Sequence, residues 1–191
     1  MTDPFDHFSH WFSEAQGCGL KEPTSVALAT VDEHQQPACR IVLLKGHSKD
    51  GFVFYTNLNS QKAKELNAHP KAALCFHWMP LCKQVRIQGT VTSISEKEAD
   101  AYWQTRPRQS QLGAWASQQS SPLPDRETML KGYQELIEKY EGKDIPRPPH
   151  WSGFVLHPTR MEFWEQGDHR LHHREVFTLD GGNWSSHLIY P

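Results

Sequence analysis

Tyr102, Arg106 and Ser110 recur at intervals of four, with Pro107 breaking the run. A helix that ends at the proline carries the phenol and the guanidinium on one face. Ser110 is expected to N-cap a second helix from Gln111, whose first amides then face the same spot. Arginine gives phosphate two parallel donors, and helix-end amides complete such a cradle, so this corner is read as an anion site. The plainer alternative is a helix corner with a solvated arginine. A second set, Arg170, His172 and Arg174, alternates with Leu171 and His173 and shares one face if the segment is a strand. Guanidinium groups repel a divalent cation and attract anions, so an anionic ligand is expected there and no metal.

Two further groups carry positive charge. Lys62 follows Tyr55-Thr56-Asn57 and falls in the first turn of a helix that Ser60 can cap. A lysine there opposes the helix dipole unless a phosphate sits on the helix end, the alternative being a solvated side chain at a cost of a few tenths of a kcal/mol. Arg40 and Lys45 bracket the apolar Ile41-Val42-Leu43-Leu44. In a regular strand they point to opposite faces, so either the site wraps around the strand or a bulge resets the parity. Trp164 can border an aromatic ligand, and Gln84, Arg86 and Gln88 offer a polar strand face for a heterocycle's edge. Taken together, these groups describe a ligand with two anionic ends and flat, hydrogen-bonding rings.

The elements that must position them follow from periodicity. Phe5, Phe8, Trp11 and Phe12 recur at helical spacing over residues 3–16, and Gly17 to Gly19 stop the pattern. Strand-like runs are expected at 25–31, 38–45, 52–56, 72–78, 84–93, 153–165, 170–179 and 183–189, with helices at 60–68, 96–105, 111–118 and 125–140. The turn residues Lys49-Asp50-Gly51, Gln166-Gly167-Asp168 and Asp180-Gly181-Gly182 punctuate them. About eight strands with inserted helices indicate a mainly β fold, an antiparallel barrel whose closure removes exposed edges. No GxGxxG and no GxxxxGK[ST] occurs, which removes the usual routes to NAD or ATP.

The chain of 191 residues is expected to form one domain, 1–191, with the N-terminal helix at 3–17 and a C-terminal strand segment at 151–191 completing the site. Twenty Lys plus Arg against 22 Asp plus Glu give −2, which disfavours a polyanion-coating role and nucleic acid as a partner. A hydrophobic content of 37% is lean for this length and leaves room for a subunit interface. No apolar run reaches the roughly 18 residues of a membrane span and no signal-peptide layout opens the chain, so a soluble, cytoplasmic protein without a membrane partner is expected. No cysteine pair has CxxC spacing, and Cys39 and Cys75 are expected as small core residues.

Several ordered motifs resemble the pyridoxamine 5′-phosphate oxidase family over nearly the whole chain. They are Arg40-Ile-Val-Leu-Leu-Lys45, Phe54-Tyr-Thr-Asn57, Ser60-Gln-Lys-Ala63, Arg106-Pro-Arg-Gln-Ser-Gln-Leu-Gly-Ala-Trp115, Gln118-Gln-Ser-Ser121, Glu162-Phe-Trp164 and His169-Arg-Leu-His172. The resemblance implies an FMN-binding split barrel, a homodimer with FMN at the subunit interface. The implied activity oxidises pyridoxine or pyridoxamine 5′-phosphate to pyridoxal 5′-phosphate, with dioxygen as acceptor and hydrogen peroxide as by-product. Carried over by position, it assigns FMN contacts to Arg40, Ile41, Val42, Leu43, Leu44, Lys45, Tyr55, Thr56, Gln61, Lys62, Gln84, Gln119, Ser120, Trp164 and Arg174. The substrate phosphate falls to Lys45, Tyr102, Arg106 and Ser110, and Arg170 and His172 would act catalytically, holding the substrate ring against the flavin. Gln61 departs from the arginine common at its position, and His173 and His187 replace an acidic residue and an arginine. The alternatives are a related FMN oxidase acting on a phenazine-type substrate, or a non-catalytic flavin- or pyridoxal-phosphate-binding module.

Overall fold

The computed structural model describes residues 3–191. Helix α1 (Pro4–Gly17) starts where the Phe5 amide donates to the Asp3 side chain at 2.8 Å, with Pro4 pre-set for the first turn. Its spacing buries Phe5, Phe8, Trp11, Phe12 and Ala15, and burial of an aromatic side chain contributes roughly 1.5–3 kcal/mol. No described helix is long and apolar enough to cross a membrane.

Nine strands form one antiparallel sheet: β1 (Ser25–Val31), β2 (Pro37–Leu43), β3 (Gly46–Ser48), β4 (Gly51–Asn57), β5 (Lys71–Trp78), β6 (Lys83–Ser93), β7 (Trp151–Glu165), β8 (His173–Asp180) and β9 (Asn183–Leu188). The order is β2-β1-β5-β6-β7-β4-β3, and the far half of β7 also pairs β8, which pairs β9. The two ends of that order, β2 and β3, are consecutive in the chain with only Leu44 and Lys45 between them. The sheet must therefore curl until its edges meet, and the Lys45 amide donates to the Val53 carbonyl of β4 at 2.8 Å across that seam. Strand β3, too short to leave a periodic signal, is the element that raises the expected eight strands to nine.

Alternation sends Val26, Leu28, Phe52, Phe54, Leu74, Phe76, Val85, Ile87, Met161 and Phe163 inward, all at most 1% exposed. The sheet bends where β6 slips register between Gln88 and Gly89. A Cβ on Gly89 would lie 2.0 Å from the His157 carbonyl oxygen, so the bulge admits only glycine without a shift. Cys39 is exposed on edge strand β2 and Cys75 half-buried, which corrects the expectation of two core thiols: the apolar run around Cys39 has one face outside the sheet.

Helices α2 (Gln61–Ala68), α3 (Glu96–Thr105), α4 (Arg108–Ala116) and α5 (Arg126–Lys139) are inserted between strands. A capping box between Ser95 and Glu98 fixes the start of α3. Trp103, Leu112, Tyr140, Ile145 and Trp151 form a second, smaller core beneath α3 and α4.

The docking of α1 should be sensitive to acid. His7 stacks on Phe163 with centroids 4.0 Å apart, and His47 lies against Phe8 and Phe12 within 3.2 Å of the Ser9 hydroxyl. Burial lowers both imidazoles below their ordinary 6.5, with Glu175 partly offsetting it at His7. The unfolded chain therefore takes up protons first: this contribution is complete above pH 6.5 and is lost as the pH falls below it. Thermal melts should show Tm dropping between pH 7 and pH 5, about 2–4 °C per kcal/mol lost at this size. The double variant His7→Phe/His47→Gln should flatten that slope, and an unchanged slope would assign the effect to other groups.

Candidate active site

The seam and the α3–α4 corner enclose a cleft of about 440 Å³. Regular β1–β2 pairing without a bulge settles the parity: Ile41, Leu43 and Lys45 line the cleft, while Leu44 turns into the core. Arg40 turns the other way. Its guanidinium meets the buried Glu65 carboxylate at 2.8 Å and the Thr30 hydroxyl, and it does not line the cleft.

From β4 come Tyr55, Thr56 and Asn57, and from α2 comes Lys62. The Lys62 ammonium donates to Gln119 Oε1 at 2.8 Å and Thr56 Oγ1 at 3.2 Å. Burial pushes its pKa below the ordinary value, and the charge of Arg40 adds to that. Both partners are neutral, so the ammonium is available to an anion that displaces a carbonyl oxygen. Gln61 is exposed, donates to Glu65 Oε1 at 2.8 Å and lies outside the cleft. Exposed Ser120, at φ 70°, also lies outside it, whereas its neighbour Gln119 lines it.

The α3–α4 corner supplies Tyr102, Arg106 and Ser110 to the same cleft, as their spacing predicts. One detail is corrected. The N-cap of α4 is Pro107, not Ser110, because proline's fixed φ starts the helix three residues early and places Ser110 in its first turn. Arg106 is the C-cap of α3 and lies over the rings of Trp151 at 4.6 Å and Trp103 at 5.2 Å. Its Nη1 is the one buried side-chain polar atom without a hydrogen-bond partner among the described residues, and burial lowers its pKa. A buried unpaired donor costs about 1–3 kcal/mol, and more when charged, a cost that a bound anion removes. Tyr55, which stacks on Tyr102 at 4.0 Å and Trp151 at 5.1 Å, extends a flat aromatic wall. Trp151 and Ser117 are lining residues that motif reading missed. The place of Trp151 opposite Asn57 in the β4–β7 register is non-local and leaves no local trace.

The remaining residues gather elsewhere. Gln84 pairs with Trp164 and Trp164 with Arg174, one row across β6, β7 and β8. Arg170, His172 and Arg174 do not share a strand face as expected. Residues 168–170 form a 3-10 turn in which His169 (φ 54°) and Arg170 (φ 65°) are both left-handed, and β8 begins only at His173. The turn closes tightly enough that a Cβ on Gly167 would sit 2.1 Å from the Leu171 carbonyl oxygen. It nevertheless brings the His172 ring to 4.7 Å from Trp164, with Nδ1 accepting from the Gly167 amide at 3.3 Å, and leaves Arg170 exposed. Trp151 and Trp164 lie at opposite ends of the 15-residue β7, on the order of 40 Å apart along a strand that rises about 3.3 Å per residue. One copy of the chain thus holds the two groups far apart.

The curled sheet with its seam is a split barrel. An FMN-binding protein from Nostoc punctiforme, described as pyridoxamine 5′-phosphate oxidase-related, has this fold, with a TM-score of 0.81 over all of both chains at 21% identity. Residues 12–164 match the family described as Pyridoxamine 5′-phosphate oxidase, and residues 151–191 match the Pyridoxine 5′-phosphate oxidase C-terminal dimerisation region. The pyridoxine/pyridoxamine 5′-phosphate oxidase of Zymomonas mobilis is 53% identical over 99% of this chain and 98% of its own length. That of Pelagibacter ubique is 50% identical over 99% and 92%. PhzG from Burkholderia lata, crystallised with tetrahydrophenazine-1-carboxylic acid, is 30% identical and superimposes with a TM-score of 0.95 over 100% of this chain and 94% of its own. The chain belongs to the pyridoxamine 5′-phosphate oxidase family and, like its curated relatives, is an enzyme.

Proposed function

We propose that this chain oxidises pyridoxine or pyridoxamine 5′-phosphate to pyridoxal 5′-phosphate, as a homodimer that binds FMN between its copies. The observation that carries the reading is the half-buried Arg106 guanidinium, its buried Nη1 without a partner, in a cleft it shares with Lys45, Tyr102 and Ser110. That donor set suits a phosphate monoester: a planar fork, an ammonium, a phenol and a hydroxyl. Lys62, Thr56 and Gln119 suit the FMN phosphate, and Gln84, Trp164 and Arg174 the flavin ring. In this reading Arg40 and Gln61 brace α2, which carries Lys62, through their bonds to Glu65, and Leu44 and Ser120 contribute backbone groups.

FMN, held at its phosphate by Lys62, Thr56 and Gln119, would supply the redox chemistry: two electrons and two protons would leave the carbinol or amine group for dioxygen, giving hydrogen peroxide, and with the amine one water would hydrolyse the resulting imine to the aldehyde and ammonia. The chain's part is orientation. Arg170 and His172 hold the substrate ring, and the cleft aligns the reacting carbon while limiting water. Since one copy keeps the two residue groups at opposite ends of β7, a two-fold dimer is the arrangement in which one copy's cleft meets the other's Trp164 row. The C-terminal dimerisation region supports this, and 1–191 would act as one unit.

A second reading is favoured by the close superposition on PhzG: an FMN oxidase of a phenazine-type substrate. Such a substrate lacks the phosphate that Tyr102, Arg106 and Ser110 suit. Stopped-flow absorption separates the readings. Pyridoxine 5′-phosphate should bleach the bound flavin within turnover time, and air should restore its colour. Flavin that stays oxidised with this substrate rejects the proposal even if the fold and cofactor stand.

A further inference from the structure

Glu162 lies on the face of β7 turned away from the core, yet its side chain is only 1% exposed because three arginines cover it. Oε2 accepts from Arg160 at 3.0 Å and Arg86 at 3.2 Å. Oε1 accepts from Arg174 alone, at 3.0 Å through Nε and 2.7 Å through Nη2. The third nitrogen, Nη1, donates to the Tyr190 carbonyl at 3.0 Å. Three of the five guanidinium donors of Arg174 are thereby engaged, leaving one N–H on each Nη. Three cations around one buried carboxylate are a poor route to stability, since apolar side chains of equal volume serve as well or better. What the arrangement does supply is a guanidinium fixed in one plane beside Trp164, its partner in the β7–β8 register.

We propose that Glu162 is a positioning residue for Arg174, holding its guanidinium in the orientation that receives the cofactor's polar ring edge. The inference rests on the FMN reading above and deepens it. Burial alone would raise the Glu162 pKa, but the bonds from Arg174 and Arg160 outweigh it and hold the group ionised below the ordinary carboxylate value. The carboxylate is thus in the state that two parallel N–H donors require.

The test titrates FMN into apo-protein and follows quenching of flavin fluorescence, a readout independent of turnover. Glu162→Gln should weaken FMN binding about tenfold or more. In the Arg174→Ala background the same change should add nothing, since its route of action is gone. Full additivity of the two losses would overturn the proposal, because Glu162 would then act through the fold. Arg160→Gln spares Oε1 and should leave affinity within about threefold. A loss as large as that of Glu162→Gln would assign the effect to the cluster's charge and overturn the proposal too. Arg174→Lys serves if Glu162→Gln does not fold: an ammonium keeps the charge without the planar fork, so its affinity should match that of Arg174→Ala. Near-normal binding by Arg174→Lys would sink the idea. Unaltered protein that binds no FMN would remove the parent reading and this one together; binding with additive losses removes this one alone.

Discussion

Arg106→Gln should lower kcat/KM for pyridoxine 5′-phosphate by about 10²- to 10⁴-fold while leaving bound flavin unchanged. Two charge-assisted bonds of about 1.5–3 kcal/mol each are removed, and 1.4 kcal/mol is tenfold. The same change should leave Tm equal or higher, because the free protein carries that guanidinium half-buried over Trp151 with its buried Nη1 unpaired. Activity and stability are then expected to move in opposite directions, which a merely structural arginine would not produce. Arg106→Lys should not restore activity, since an ammonium lacks the fork geometry. Steady-state kinetics beside thermal melts check both halves, and kcat/KM within threefold of normal would remove Arg106 from substrate recognition.

Arg170→Ala is the second large effect. Turnover should fall about 10²-fold or more, with the yellow flavin retained, because the proposed function assigns the residue to the substrate and it lies apart from the cleft that holds Lys62 and Gln119. Arg170 is exposed and left-handed, in a turn where His169 is left-handed as well. Non-glycine residues in that region cost about 1–3 kcal/mol each and gather at functional sites. Little in the free chain depends on this side chain, so melting should be unaffected. Flavin absorption of the purified variant and its kcat decide the matter, and undiminished turnover would exclude Arg170 from the mechanism.

What could be read from the sequence was what local pattern encodes. Helix α3 has the expected bounds, because Ser95 and Glu98 cap one end and Pro107 stops the other. Alternation on β1, β5, β6 and β7 was equally legible, and so was the convergence of Tyr102, Arg106 and Ser110. What escaped was non-local or conformational. The ion pair of Arg40 with Glu65 spans 25 positions and joins strand to helix. The alternation from Arg170 to Arg174 looks like a strand, and only the left-handed backbone at His169 and Arg170 makes it a turn. The start of α4 was misplaced because serine is a better cap by preference than the proline that takes the role.

Lys45 occupies the two-residue link through which β2 passes into β3, where the margins of the sheet come together. Under the proposed function, barrel closure and ligand capture draw on the same short stretch of backbone, which leaves that stretch little freedom to drift. Any retuning of the enzyme toward other cargo must fall instead on the α3–α4 corner, whose side chains can change while the staves stay joined.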